Sequence, residues 1–348
     1  MNVAVIAGAT GAVALRLVEH LDASGWEVVG LCRRPAAAHG RVRYLGVDLL
    51  DGPAVARALQ GVPKATHVFY SARAKFGEGG VENVDDNVAM LRNVLDAAEA
   101  SCPGLAHVHL VEGGKWYGQH LGAYPTPAKE DDERHIPPNF YYDQEDLLRS
   151  RQAGKRWSWS ASRPNVICDF APGRARNIIS IVGAYAAICR ELGVRLDFPG
   201  HPDQFRSLTE VTEARLLARG LAFMATAPSC RNQAFNITNG DVFRWQRLWP
   251  RIAAAHGMQP GVVRTITLAE WMRDKDAVWQ RIVEKNGLEP RRLDEIAQWN
   301  FADWLFRQTY DIASSTTKLR RAGFHEAIDT EEMFLDHLAR YREARILP

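Results

Sequence analysis

The stretch that most constrains this chain is its first apolar run and the turn after it, Val3-Ala4-Val5-Ile6-Ala7-Gly8-Ala9-Thr10-Gly11-Ala12-Val13-Ala14. A short continuous apolar run is a strand buried on both faces, as parallel sheets require. Small residues then lead into a segment where Leu15, Leu17, Val18 and Leu21 fall at helical spacing. A strand that turns through glycines into a helix is a phosphate cradle. The glycines let backbone approach a pyrophosphate, and the free N–H groups of the first helical turn bind it. The spacing Gly8-x-x-Gly11-x-x-Ala14 is wider than GxGxxG. Such turns also form for close packing alone, but the strand–turn–helix context favours a nucleotide. Gly8, Thr10, Gly11, Ala12 and Val13 are then the residues set against the phosphates.

The next segments repeat the strand–helix alternation. Trp26 to Cys32 reads as a second strand, ending in Arg33 and Arg34. An NAD site places a carboxylate there for the ribose 2′-hydroxyl. Two cations suit a 2′-phosphate instead, so the expected cofactor is NADPH/NADP+, although a solvated basic turn would look the same. Val42 to Leu49 makes a third strand; Asp48, followed by Leu49, is placed to accept from adenine or to cap the helix beginning near Pro53. Thr66 to Ala72 is a fourth strand, with Ser71 and Ala72 at its cofactor end and a glycine-rich loop beyond. Asp85 to Ala100 is a helix with one buried face, and Leu105 to Val111 a fifth strand. This α/β order implies a doubly wound parallel sheet, in which ligands sit beyond the carboxyl ends of the strands.

Composition narrows the class. The 348 residues are 46% hydrophobic and 24% charged with a net charge of +2, which gives no electrostatic case for nucleic acid or a membrane surface. Five scattered cysteines without CxxC spacing argue for a reducing compartment and against disulfides or zinc, and no other metal site is expected. Met1 runs almost directly into the first strand and no apolar stretch reaches spanning length, so the expectation is a cytosolic protein.

Beyond the fifth strand lie Glu112-Gly113-Gly114-Lys115-Trp116-Tyr117-Gly118, a proline-containing loop, and Asn139-Phe140-Tyr141-Tyr142-Asp143-Gln144-Glu145-Asp146 opening a helix. Trp157 to Ser162 is a sixth strand leading into Arg163-Pro164-Asn165-Val166-Ile167, with Ile167 a further cofactor candidate. Ile178 to Leu192 and Glu213 to Ala225 are helices, and Ala234 to Gly240 reads as a seventh strand. The expected division is a Rossmann domain over 1–168, with 208–242 returning to the sheet. A mainly helical substrate-binding cap takes 169–207 and 243–348. The tryptophans of the last hundred residues are read as the core of that cap.

These residues resemble a known family. The Gly114-Lys115-Trp116-Tyr117-Gly118 run, the Asn139 to Asp146 motif, Arg163-Pro164, Tyr185-Ala186-Ala187-Ile188-Cys189 and the stretch from Ala234 to Trp245 are similar to progesterone 5β-reductase/iridoid synthase enzymes, atypical extended short-chain dehydrogenases. The likeness runs from the glycine turn to the C-terminal helices. It implies NADPH-dependent reduction of a C=C bond conjugated to a carbonyl, with an enone or enal as the small-molecule substrate, and leaves a homodimer open. It assigns catalysis to Lys115 and Tyr141, places Tyr141 against cofactor and substrate, and puts Phe301 in the substrate pocket. Three positions depart from the family. Arg73, a substrate-pocket position, replaces a tryptophan; Asn165-Val166 replaces Gly-Asn; and Gly114 precedes the lysine.

Read without the family, the site differs from an ordinary short-chain dehydrogenase, whose Tyr-x-x-x-Lys dyad lowers the tyrosine pKa. Here Glu145 follows Tyr141 at that spacing and Asp146 follows Tyr142. From position alone Lys115 is either a solvated loop residue or a group delivered to the sheet's active edge, and the tyrosines are either a core pair or one core and one site residue. The alternatives to an enone reductase are a nucleotide-sugar epimerase, dehydratase or ketoreductase, disfavoured by the missing dyad, and a non-catalytic NADP(H) sensor, disfavoured by the presence of both Lys115 and Tyr141.

Overall fold

The computed structural model describes residues 1–77 and 81–348; the glycine-rich loop expected after the fourth strand falls largely outside the described residues. Six strands, β1 (Val3–Ala7), β2 (Glu27–Cys32), β3 (Val42–Gly46), β4 (His67–Tyr70), β5 (His107–Val111) and β6 (Ser158–Pro164), join the strand Gln233–Ile237 in one sheet. The spatial order is Gln233–Ile237, β6, β5, β4, β1, β2, β3, with every pairing parallel. The order reverses between β1 and β4, which opens a crevice at their carboxyl ends.

Alternation along β1 sorts its side chains onto two cores. Val3, Val5 and Ala7 pack with Val29, Val68, Val108 and the helices α2 (Gly52–Gln60) and α3 (Val84–Ser101). Ala4 and Ile6 pack on the opposite face against Leu17, Val18 and Leu21 of α1 (Ala12–Ala23) and Leu217 and Leu221 of the helix Ala214–Thr226. All five β1 residues are buried, which is why the strand reads as an unbroken apolar run.

The helix capped near Pro53 begins at Gly52, and its N-cap is Asp51, whose carboxylate accepts from Ala54 N. Asp48 is therefore not the cap; its Oδ1 accepts from Leu50 N at 3.1 Å, shaping the turn after β3. The third strand stops at Gly46 for the same reason, short of the expected Leu49.

A separate core surrounds α5 (Ile178–Glu191), buried continuously from Ile178 to Cys189. Trp245, Trp249, Trp279, Phe306 and Phe334 close around it. Trp249 and Trp279 each satisfy their indole N–H on a carbonyl, Leu196 O at 2.9 Å and Arg291 O at 2.8 Å. Trp304 differs, standing at the surface beside Phe301. No described helix is long and apolar enough to cross a membrane.

Under the helix Ala214–Thr226 the sheet carries a polar ladder. His107 bridges Ser158 and Ser160 at 2.9 and 2.7 Å, and His109 bridges Ser160 and Ser162 at 2.7 and 3.0 Å. Burial lowers His109 to about 3 and His67, on the neighbouring strand, to about 4, and lowers His107 as well.

Candidate active site

The crevice at the sheet's carboxyl edge is a cleft of about 490 Å³ lined by Gly8, Thr10, Gly11, Arg33, Asp48, Leu49, Ser71, Ala72 and Arg73 among others. Gly8 has φ +82°, and a Cβ there would stand 2.9 Å from Ala72 Cα. Only glycine makes that turn while β1 and β4 stay paired. Gly11 is the N-cap of α1, with no side chain capping it and no acidic residue in the first turn. The leading N–H groups of α1, at Ala12 and Val13, thus point past the turn without an intrahelical partner. A dinucleotide pyrophosphate fits this donor set, and Arg33 fits a phosphate on the ribose. Arg34 is exposed and off the cleft lining. Ile167 is also off that lining; it lies in the short strand Ile167–Cys168, paired with Thr212–Glu213.

Lys115 is carried on a single 3₁₀ turn, Gly114–Tyr117, directly after β5. Asn139, the N-cap of α4 (Phe140–Gln152), donates to Lys115 O at 2.8 Å and so ties the turn to the tyrosine helix. Lys115 Nζ and Arg73 both pair with Glu82, the Arg73 contact being 2.6 Å. Burial pulls the Lys115 ammonium below its ordinary value against the opposing pull of Glu82, and the nearby charges of Arg73 and Arg176 add to the lowering.

The two tyrosines part company. Tyr142 is buried, its hydroxyl donating to Trp116 O at 2.5 Å and accepting from His135 N at 2.8 Å, its ring edge-on to Trp116. Tyr141 is half-buried, and its hydroxyl makes no hydrogen bond among the described residues. A Cβ built on Gly113 would stand 3.4 Å from that hydroxyl, so the phenol reaches the loop that carries Lys115. Burial raises the Tyr141 pKa well above its ordinary value, and the charge of Arg73 opposes the rise without cancelling it.

What fixes this arrangement is a buried ion network absent from the sequence reading. Arg163 on β6 pairs with Glu112 at 2.9 Å and Glu145 at 3.0 Å, donates to Tyr117 Oη at 3.2 Å, and lies 3.6 Å from the centroid of Trp116. Burial alone would lower Arg163, but Glu112, Tyr117 and Glu145 outweigh it and hold the guanidinium charged. Glu112 precedes the Gly113-Gly114-Lys115 loop, and Glu145 sits one helical turn after Tyr141. One cation therefore clamps both site-bearing segments. The signal was present: Arg163 stands near the carboxyl end of the sixth strand, and Glu145 occupies the place of the dyad lysine.

Gly114 and Asn165, two of the positions singled out in the sequence, are neighbours. Gln119 Nε2 donates to Asn165 Oδ1 at 3.2 Å, and Asn165 Nδ2 donates to Glu210 Oε1 at 3.2 Å. A Cβ on Gly114 would collide with Gln119 Oε1 and come 3.5 Å from Asn165 Cγ. Gly114 thus makes room for the pair that Asn165 completes. Phe301 lies off the cleft lining, in the core around α5; it stacks on Trp304 with centroids 6.1 Å apart, and Arg176 covers it at 4.3 Å.

Residues 48–348 match the model of the PRISE-like Rossmann-fold domain. The chain belongs to this family. It is 32% identical over 367 residues to an (S)-8-oxocitronellyl enol synthase of Nepeta racemosa, covering 100% of this chain and 93% of the relative. It is 33% identical over 372 residues to the 3-oxo-Delta(4,5)-steroid 5-beta-reductase of Arabidopsis thaliana, with coverage of 100% and 93%. Among solved structures, a short-chain dehydrogenase/reductase superfamily protein of Agrobacterium tumefaciens with bound NAD superposes with a TM-score of 0.69 at 17% identity, over 99% of this chain and 98% of that one. At that identity the likeness speaks for the fold. The family model begins at Asp48, beyond the glycine turn, whereas the two relatives align over the whole chain, turn included.

Proposed function

We propose that this PRISE-family protein is an NADPH-dependent reductase of the C=C bond of α,β-unsaturated ketones or aldehydes. The observation that carries the reading is the state of Tyr141: a protonated phenol at the sheet's active edge, with no partner among the described residues, and with Glu145 locked to Arg163 where a dyad lysine would stand. NADPH held in the cleft would supply the hydride equivalent. Gly8, Thr10, Gly11 and the first turn of α1 would hold its pyrophosphate, Arg33 its 2′-phosphate, and Asp48 its adenine.

On a conjugated substrate, hydrogen gained at the β-carbon pushes the double-bond electrons onto the carbonyl oxygen, and a proton then completes the α-carbon. Tyr141 donates its hydroxyl hydrogen bond to that oxygen as the enolate charge develops, in the manner of an oxyanion hole. Lys115 adds positive potential from the adjoining turn. Glu145 cannot act as the lysine of an ordinary dyad, which leaves alcohol–ketone interconversion and sugar epimerisation poorly served. Phe301, beneath Arg176, would give the substrate an apolar contact.

Cyclohexenone with NADPH tests the reading. The expected product is cyclohexanone, identified by gas chromatography; the allylic alcohol as main product would overturn it.

A further inference from the structure

The mouth between sheet and cap holds more positive charge than a neutral enone needs. Arg73 lies over Phe76, its guanidinium carbon 4.2 Å from the ring centroid, and stands 5.6 Å from the ring of Phe140, which itself packs 4.4 Å from Tyr141. Lys115 approaches the same Phe76 at 5.7 Å. Both cations share one carboxylate, Glu82. On the cap side Arg176 covers Phe301 and makes neither a hydrogen bond nor an ion pair among the described residues. His120 faces the same charges and is held neutral, since burial and Lys115 lower its pKa.

Arg176 is not on a loose segment. Arg174 donates to Thr10 O at 2.6 Å, beside the phosphate turn, while Gln298 N donates to Ala175 O at 2.8 Å and Asn177 Nδ2 to Asp169 O at 2.6 Å. The backbone on both sides is therefore pinned, and a guanidinium with no counter-charge among the described residues is held against the ring of Phe301. A guanidinium stacked on a ring keeps its edge donors available, in a fork that matches a planar carboxylate. Burial and the charge of Arg73 both press on Arg176, a repulsion that a bound anion would relieve.

We propose that the enone reduced by this protein carries a carboxylate, held at the mouth by Arg73 and Arg176 while its carbonyl reaches Tyr141. The proposal rests on the enone-reductase reading for the carbonyl end and on the cation placement for the other.

The test uses a straight-chain enone bearing a carboxylate two methylenes beyond the double bond, and its carboxamide, which has the same shape and no charge. Calorimetric binding in the presence of NADP+ and steady-state reduction with NADPH are measured for the unmodified protein, Arg73→Gln and Arg176→Gln. The expected result is a preference for the acid of about tenfold or more in Kd and kcat/KM, reduced severalfold in either variant and weakened by added salt. Equal binding of acid and amide by the unmodified protein overturns the proposal. So does an acid preference untouched in both variants, or an Arg73→Gln effect confined to the KM for NADPH, which would assign that arginine to the cofactor. If neither probe nor cyclohexenone is reduced, the reductase reading fails, and the calorimetric comparison of acid and amide still decides the carboxylate site.

Discussion

The glycine turn after β1 and the loop after β5 both stand at the carboxyl edge of the sheet but are built by opposite means. The first is backbone alone: Gly8 at positive φ, Gly11 as an uncapped N-cap, and N–H groups left open at the head of α1. The second is held by charge, with Arg163 between Glu112 and Glu145, all three side chains essentially without solvent exposure. A backbone device tolerates few residue types but depends on few partners. An ionic device admits many surroundings and fails when one partner is lost, because a buried charge without its counterion costs more than the pair ever contributes.

The sharpest way to break this contrast is Arg163→Ala, which leaves two carboxylates facing each other in the interior. A loss of about 3–5 kcal/mol is expected, measured as a shift of the urea unfolding midpoint. A loss below about 1 kcal/mol would show that the loop holds without its cation.

Next come the tyrosines. Tyr141→Phe removes the donor to the developing enolate and is expected to lower kcat roughly 10²–10³-fold in single-turnover NADPH oxidation, with little change in melting temperature. Tyr142→Phe should do the reverse. It strands Trp116 O and His135 N, costing about 1–3 kcal/mol of stability while the rate stays within severalfold. Exchanged outcomes would mean the roles of the two rings are exchanged.

On the backbone side the expected effects are smaller and more local. Arg33→Gln should cost about 1.5–3 kcal/mol, appearing mainly as a raised KM for NADPH and a lost preference over NADH. Arg34→Gln, whose side chain lies off the cleft lining, should change that preference by less than about threefold. Equal use of both cofactors by the unmodified protein would remove the phosphate assignment.

The smallest effect per group lies in the histidine ladder. His67, His107 and His109 have folded pKa values below the ordinary one, so the unfolded chain binds their protons first. Stability is then full above about pH 7 and declines as pH falls through about 6, by up to about 1.4 kcal/mol per pH unit for each histidine, until the folded values are reached, about 4 for His67 and about 3 for His109. Urea midpoints at neutral pH and near pH 5 check the sign; no decline would mean the ladder takes up protons without opening.

The contrast also explains what could be read from residue order. The seven parallel strands, the glycine turn and the buried α5 all follow from patterns within a dozen neighbouring residues. Their bounds slipped where a turn took its own residues, as with Asp48 and Asp51. The Arg163 clamp joins three stretches from Glu112 to Arg163, and the Arg73–Glu82–Lys115 contacts join three more. Each member, taken singly, looks like an ordinary charged residue. Arg176 was invisible for the same reason, since only the fold brings residue 176 over residue 301.

The position four residues after Tyr141 has a consequence for the kind of reaction the site can serve. Oxidising an alcohol calls for a phenolate ready to accept a proton, and a lysine one turn away is the usual means of keeping that phenolate at neutral pH. With Glu145 buried there and the phenol held protonated, the site can give hydrogen-bonding help to an oxygen gaining charge but has little means of drawing a proton from one. A site so arranged favours chemistry in which an oxygen gains charge over chemistry that begins by deprotonating an alcohol, while the ratio of reduced to oxidised cofactor still sets the direction, since the same hydrogen bond serves the reaction both ways.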